Sequence, residues 1–168
     1  MPDLPDVEPI ASTLRPQVEG RVISAVHVLL PKTLAAGGNL SRAILPARIC
    51  AVRRRAKLLL MDIAARDAHT PSHLMAFHLK MTGQVLVKPD TEQPGKHTRV
   101  LLLLLDDRGT KSRVVFDDMR KFGFCRIMLP GELEELDFWR NLGSEPLEIT
   151  SNEFTNCFCK PLSAKNGK

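Results

Sequence analysis

The chain has no cysteine pair at metal-ligand spacing. Its four cysteines, Cys50, Cys125, Cys157 and Cys159, contain one CxC and no CxxC. A zinc site is therefore not expected, and reduced thiols of an intracellular protein are the default. Long hydrophobic runs are also missing: the longest, Val100 to Leu105, has the length of a strand and not of a membrane span. No basic segment followed by an apolar stretch opens the chain, which argues against a secretory signal. The expected compartment is the cytoplasm, with no membrane partner. Acidic residues are the minority charge. With 24 Lys and Arg against 19 Asp and Glu the net charge is +5, which favours a polyanionic partner such as nucleic acid. At 168 residues, 43% hydrophobic and 26% charged, the chain suits one globular domain with a real core.

Against that background the N-terminus stands out. It reads Met1-Pro2-Asp3-Leu4-Pro5-Asp6-Val7-Glu8. Initiator methionine is commonly removed ahead of a small residue, and Pro2 would then carry a free secondary amine. An α-amino group titrates near about 7.7–8.0, so part of it is nucleophilic at neutral pH without a helper base. Asp3 and Asp6 place carboxylates one and four residues later, suited to proton transfer. Many chains begin Met-Pro, so those two residues carry little weight by themselves.

Residues 6–19 read as a helix with Val7, Ile10, Leu14 and Val18 on one face and Asp6 as N-cap. Pro9 falls in its first turn and Pro16 should kink or end it. A strand is expected at 21–30, then strands at 49–54, 57–63, 73–79, 83–88, 98–106, 112–117 and 122–128. Ala65-Arg66-Asp67, Thr82-Gly83, Pro89-Asp90 and Asp106-Asp107-Arg108-Gly109 supply turn chemistry between them. Short helices are expected at 39–45 and 131–141, the latter with Leu133, Leu136 and Trp139 inward and Gly143 as its stop. The fold class is mainly β with flanking helices, a β-sandwich. Residues 1–150 form the domain, and 151–168, polar and basic at its end, reads as a linker or tail.

Three segments between strands combine cations with residues able to meet DNA. Arg53-Arg54-Arg55-Ala56-Lys57 leads into an apolar strand; such a run is ordinarily a solvated turn, yet it sets Lys57 on a rigid strand end. His78-Leu79-Lys80-Met81-Thr82-Gly83 puts Met81 at a glycine turn, where a flexible apolar side chain can wedge into a base stack. Asp118-Met119-Arg120-Lys121-Phe122-Gly123 sets a cation beside an aromatic ring, suited to stacking and phosphate contact.

In this order the segments resemble the N-terminal domain of the formamidopyrimidine-DNA glycosylase family. The family opens Met-Pro-Glu-Leu-Pro-Glu-Val-Glu. Its Arg-Arg-x-Lys strand is matched at Arg54 to Lys57 and its His-Leu-x-Met-[Ser/Thr]-Gly turn at His78 to Gly83. Lys96-His97 matches its Lys-His segment, Asp118 to Gly123 its Asp-Pro-Arg-Arg-Phe-Gly motif, and Leu142 to Leu147 its Leu-Gly-Pro-Glu-Pro-Leu. The resemblance implies that a damaged nucleotide is flipped from duplex DNA and that Pro2 attacks C1′ to give a Schiff base. Elimination at the flanking phosphates then nicks the strand. Asp3 takes the place of the family's essential acid and Asp6 that of a supporting glutamate. Lys57 and His78 map to phosphate contacts, and His97 to the DNA interface. Met81, Arg120 and Phe122 map to the residues that fill the vacated stack. Leu4 and the intact Met/Arg/Phe set favour the branch acting on oxidised purines, 8-oxoguanine and formamidopyrimidines. No cofactor is expected in this chain, its partner is damaged double-stranded DNA, and it is expected to be a monomer.

Two departures bear on activity. Aspartate replaces glutamate at positions 3 and 6, drawing each carboxylate back by about 1.5 Å; misplacing a catalytic group by about 1 Å can cost roughly a hundredfold in rate. Met119 and Lys121 replace the motif's proline and second arginine, milder changes. The family's helix–two-turn–helix segment and zinc-bearing four-cysteine finger have no match here, so a truncated chain of impaired activity is expected. The alternatives are a catalytically degenerate module that binds DNA or protein, and an endonuclease VIII-like enzyme for oxidised pyrimidines.

Overall fold

The computed structural model describes residues 4–34, 45–68, 70–135, 137–142, 149–152 and 155. Pro2, Asp3, most of the helix expected at 39–45, Leu136, Gly143 to Leu147, and Cys157 and Cys159 lie outside them. Helix α1 (Leu4–Val18) is followed by β1 (Val22–Val28), β2 (Ala47–Arg55), β3 (Leu58–Ala65), β4 (His73–His78), β5 (Gly83–Pro89), β6 (Thr98–Leu105), β7 (Lys111–Asp118) and β8 (Phe124–Met128). Among the described residues no helix is long and apolar enough to cross a membrane.

The strands form one hydrogen-bonded run in the order β5-β7-β6-β1-β2-β3-β4-β8, antiparallel throughout. It behaves as two layers because its central joint is short. β1 and β2 pair only at Val22↔Arg48 and Ile23↔Ala47, while β1 breaks register between Ile23 and Ala25 and β2 between Ile49 and Ala51. Such bulges bend a strand and increase its twist, letting one half fold over the other. The core lies between the halves: Ile49, Leu59, Met61, Met75 and Phe77 from one side meet Val100, Leu102, Val114 and Phe116 from the other. Phe77 on β4 and Phe116 on β7 touch edge to face, with ring centroids 5.6 Å apart. The β-sandwich expected from the alternating pattern is therefore a single sheet folded upon itself.

Helix α1 closes one open side of the core with Val7, Ala11, Leu14 and Val18, all buried. It starts at Leu4, so Asp6 lies within the helix and is not its N-cap, and both Pro9 and Pro16 lie inside it. The helix survives its two missing amide donors because β2 holds it from the side. Arg15 Nε donates to the Val52 carbonyl at 2.7 Å, and the Val52 N–H donates to Glu19 Oε1 at 2.7 Å. The expected helix over 131–141 is replaced by a 3-10 turn at Pro130–Leu133 and a short α2 at Asp137–Arg140. Leu133 and Trp139 cover the outer face of β3, β4 and β8 at Leu58, Leu60, Leu74 and Met128. Beyond it Ser151, Asn152 and Thr155 are helical, with Thr155 Oγ1 donating to the Ser151 carbonyl at 2.8 Å.

Because Phe77 joins the two layers, Phe77→Ala should destabilise the domain by about 3–5 kcal/mol. Phe122→Ala, at a ring 58% exposed, should change stability by no more than about 0.5 kcal/mol. Urea unfolding monitored at Trp139 separates the two.

Candidate nucleic-acid interface

The chain crosses between the layers twice at one end of the sandwich, through Leu79 to Thr82 after β4 and through Met119 to Gly123 after β7. Asp118, 1% exposed, joins these crossings. Its Oδ1 accepts from Thr82 Oγ1 at 2.5 Å and from the Arg120 N–H at 3.2 Å, and its Oδ2 from the Gly123 N–H at 2.7 Å. Its backbone is held as well: its N–H donates to the His97 carbonyl at 2.9 Å, and its carbonyl accepts from buried Arg99 Nε at 2.8 Å. Burial alone would raise the Asp118 pKa. The hydrogen bonds from Thr82, Gly123, Arg120 and Lys121 outweigh it and hold the carboxyl below its ordinary value. Gly123 is needed here, since a Cβ would stand 2.7 Å from Phe116 Cζ and 3.0 Å from the His78 carbonyl oxygen.

Above this anchor stands an exposed crest. Met81 is 45% exposed, Met119 59% and Phe122 58%. Arg120 lies between them, its Nη1 donating to Met81 Sδ at 3.0 Å and its guanidinium 5.2 Å from the Phe122 ring centre. The structure thus brings Met81, Arg120 and Phe122 together from two segments about forty residues apart. Two apolar side chains hold a cation outward, an arrangement suited to entering a base stack while meeting phosphate.

Beside the crest, β4 ends at His78, which pairs with Leu58 on β3 and Phe124 on β8. Pairing with Leu58 brings the β2–β3 turn, Ala56 and Lys57, alongside. His78 is pushed down to about 4, first by burial and then by the positive charges of Lys80 and Lys57. It is therefore a neutral imidazole at physiological pH. Its Nδ1 accepts from the Lys80 N–H at 3.2 Å, which leaves the ring proton on Nε2 as a donor. Three non-glycine residues with left-handed backbone surround this end: Ala56 at φ 50°, Lys80 at 53° and Lys121 at 62°. Such conformations cluster where a fold holds a functional turn.

The arginine run before Lys57 is dispersed by the pleat of β2. Arg53 pairs with Asp62 at 2.8 Å and Arg55 lies 5.9 Å over the Trp139 ring. Arg54, its side chain only 3% exposed, points the other way and binds Glu8 at 2.8 Å. Arg15 holds the second Glu8 oxygen at 3.4 Å, and Arg54 Nη1 donates to the Ala56 carbonyl at 3.2 Å. Helix α1 and β2 run in opposite directions, with Gly20 at Ile49, Arg15 at Val52 and Glu8 at Arg54. The first turn of α1, where Asp6 sits, therefore arrives at the β2–β3 turn. Sequence reasoning passed over the anchoring role of Asp118 with Thr82 and Arg99, and the Glu8–Arg54 tie. The available signal was an aspartate at a strand end five residues ahead of a glycine.

Cys50 and Cys125 lie on β2 and β8 with free thiols, that of Cys125 pushed up to about 12 by burial. Among the described residues no three His, Cys, Asp or Glu side chains converge.

The molecule is thus a folded-sheet β-sandwich domain with a cationic, apolar-tipped end. Residues 1–125 match the formamidopyrimidine-DNA glycosylase N-terminal domain, and the chain belongs to that family. It is similar to formamidopyrimidine-DNA glycosylase of Carboxydothermus hydrogenoformans, 33% identical over 95% of this chain and 52% of that protein. It is 32% identical to that of Bacillus subtilis over its whole length and 57% of the relative. The chain spans about half the length of the curated relatives it matches. Its fold is that of Lactococcus lactis Fpg in complex with DNA containing an abasic site, with a TM-score of 0.68, 22% identity, and coverage of 79% of this chain and 46% of the other. A complex of a mutant of the same species' protein with DNA containing Fapy-dG also gives 0.68, at 21% identity over 80% of this chain and 46% of the other.

Both depressed pKa values make the fold acid-sensitive. His78 prefers its proton in the unfolded chain, so stability is lost as pH falls from about 6.5 to about 4 and levels off below. Asp118 adds stability above the ordinary carboxylate range that is lost as pH falls through its lower folded value. Stability measured against pH should therefore lose its first step in His78→Gln, and an NMR titration should show a His78 midpoint near 4. Asp118→Ala removes the shared acceptor of Thr82 and Gly123, while the Arg120 N–H keeps Thr82 Oγ1, and should cost about 3 kcal/mol at pH 7, with a smaller pH dependence below about 4.

Proposed function

We propose that this chain is the catalytic N-terminal part of a base-excision DNA glycosylase/AP lyase that acts on oxidised purines in double-stranded DNA. The observation that carries this reading is the Glu8–Arg54 tie. It sets the first turn of α1 at the Lys57–His78 corner beside the Met81–Arg120–Phe122 crest. Pro2 precedes the helix by two residues, a span of at most about 7 Å of extended chain, and in the proposed reading its amine meets a nucleotide held at this corner.

In the proposed reaction the crest fills the gap left by the flipped nucleotide. The Pro2 nitrogen attacks C1′, and the C1′–N bond breaks with its electron pair leaving on the base. The amine proton passes to the departing base, and Asp3 protonates the ring oxygen as the sugar opens, leaving an iminium ion between the Pro2 nitrogen and C1′. That ion acidifies C2′–H, and elimination expels first the 3′ and then the 5′ phosphate. Lys57 supplies a point charge to a flanking phosphate, and His78 a neutral Nε2–H donor. Asp6 supports the site from within α1, and His97 lies behind the crest through its carbonyl bond to Asp118. These steps use the chain's own amine and carboxylates and call for no discrete cofactor. Leu4 and the Met/Arg/Phe set support the oxidised-purine branch, as do the names of the relatives. The shortened Asp3 and Asp6 make lyase action on an abasic site the stronger activity of this stretch, with excision of a damaged base the weaker.

Borohydride trapping on a duplex with an abasic site tests the reading, comparing the chain with a form blocked at the N-terminal amine. A covalent adduct is expected with the free amine and not with the blocked one. No adduct at low salt with saturating DNA would leave a binding module as the better account.

A further inference from the structure

We propose that Lys80 is a phosphate-binding residue of this interface and that its backbone N–H presets His78 as the second donor to the same phosphodiester. The inference rests on the DNA reading above and names a contact within it.

The argument begins with the backbone. Lys80 sits at φ 53°, where a lysine is strained and glycine would be at ease. That turn has two consequences. It aims the Lys80 N–H back at His78 Nδ1, 3.2 Å away, which puts the ring proton on Nε2. It also lays the Lys80 side chain over Phe124, with Nζ 5.8 Å from the ring centre, while the His78 ring lies 5.3 Å from the same ring. Phe124 is therefore a common neighbour of an ammonium group and an imidazole N–H donor.

No carboxylate among the described residues forms an ion pair with Lys80. Lys88, by contrast, is tied to Glu92 at 2.5 Å. A cation held only by a ring face gives up little when it turns to an anion. Burial, and then the nearby charges of Lys80 and Lys57, keep His78 uncharged, so it meets an anion as a neutral donor beside the Lys80 ammonium. A phosphodiester suits the pair: it has one negative charge and two non-bridging oxygens, one for Nζ and one for Nε2–H.

The test is fluorescence anisotropy on a labelled duplex carrying a tetrahydrofuran abasic analogue, across about 50–200 mM NaCl. It compares the unmodified chain with Lys80→Ala, Lys80→Gly and Lys88→Ala. Losing one phosphate contact should lower the slope of log affinity against log salt by about 1 in both Lys80 variants. Lys88→Ala removes the same charge elsewhere and should leave the slope unchanged. Lys80→Gly relieves the left-handed strain, so it should melt no lower than the unmodified chain while still losing the contact. The NMR midpoint of His78 should rise from about 4 in both Lys80 variants. If the unmodified chain binds with a salt-dependent slope that the Lys80 variants share, the assignment of Lys80 is overturned and the DNA reading stands. If the unmodified chain shows no salt-dependent binding, the DNA reading falls and this inference with it.

Discussion

Asp118 exchanges its water shell for hydrogen bonds to its carboxylate from Thr82 and from the Arg120, Lys121 and Gly123 amides, drawn from both crossings between the layers. Burying a carboxylate costs several kcal/mol unless its lone pairs are satisfied, and the compensation here comes entirely from groups that position the crest. Thr82 fixes the turn that carries Met81, while the Arg120 and Gly123 amides fix the turn that carries Phe122. The two crossings consequently stand in one register, and Arg120 can rest on both flanking side chains. The Arg120 N–H also reaches Thr82 Oγ1 at 3.1 Å, which ties the same two turns directly beside the carboxylate.

A second electrostatic arrangement positions the chain's beginning. Glu8 lies between Arg54 and Arg15, and Arg54 also reaches the Ala56 carbonyl. One acidic side chain thereby joins the first helix to the turn that presents Lys57. Burial, and then the charges of Lys80 and Lys57, depress the basicity of His78, so a third cation is avoided while a hydrogen-bond donor is kept. Concentrated positive charge beside exposed apolar tips is costly to leave in water and suits a polyanion whose bases can be unstacked.

Much of the architecture was legible in sequence. Period-two alternation and the glycine and proline turns located every strand of the sheet to within a few residues, because a half-buried strand repeats on alternate positions. Helical boundaries were less accessible. Pro16 argued for an end to α1, but lateral bonds from β2 to Arg15 and Glu19 hold the helix to Val18. The 131–141 segment had apolar residues at helical spacing, yet Leu133 found its burial against β3, β4 and β8 through a 3-10 turn. For the candidate site, ordered motifs named Lys57, His78, Met81, Arg120 and Phe122, and the fold brings these to one end. Pro2 and Asp3 lie outside the described residues.

The sequence by itself determined the sheet-forming segments, the inward face of α1 and the residue types on offer at the chain's cationic turns. These are local properties, set by side-chain periodicity and by backbone preference. Tertiary structure alone decided that the strands form one run folded at the β1–β2 joint, since nothing local limits that pairing to two positions. It also decided that Arg54 turns inward to Glu8 while its neighbours turn out, and that Thr82 meets a carboxylate 36 residues away. Left-handed lysines at positions 80 and 121 belong to the same class. Each depends on contacts between distant segments, and their energies exist only once the layers have closed.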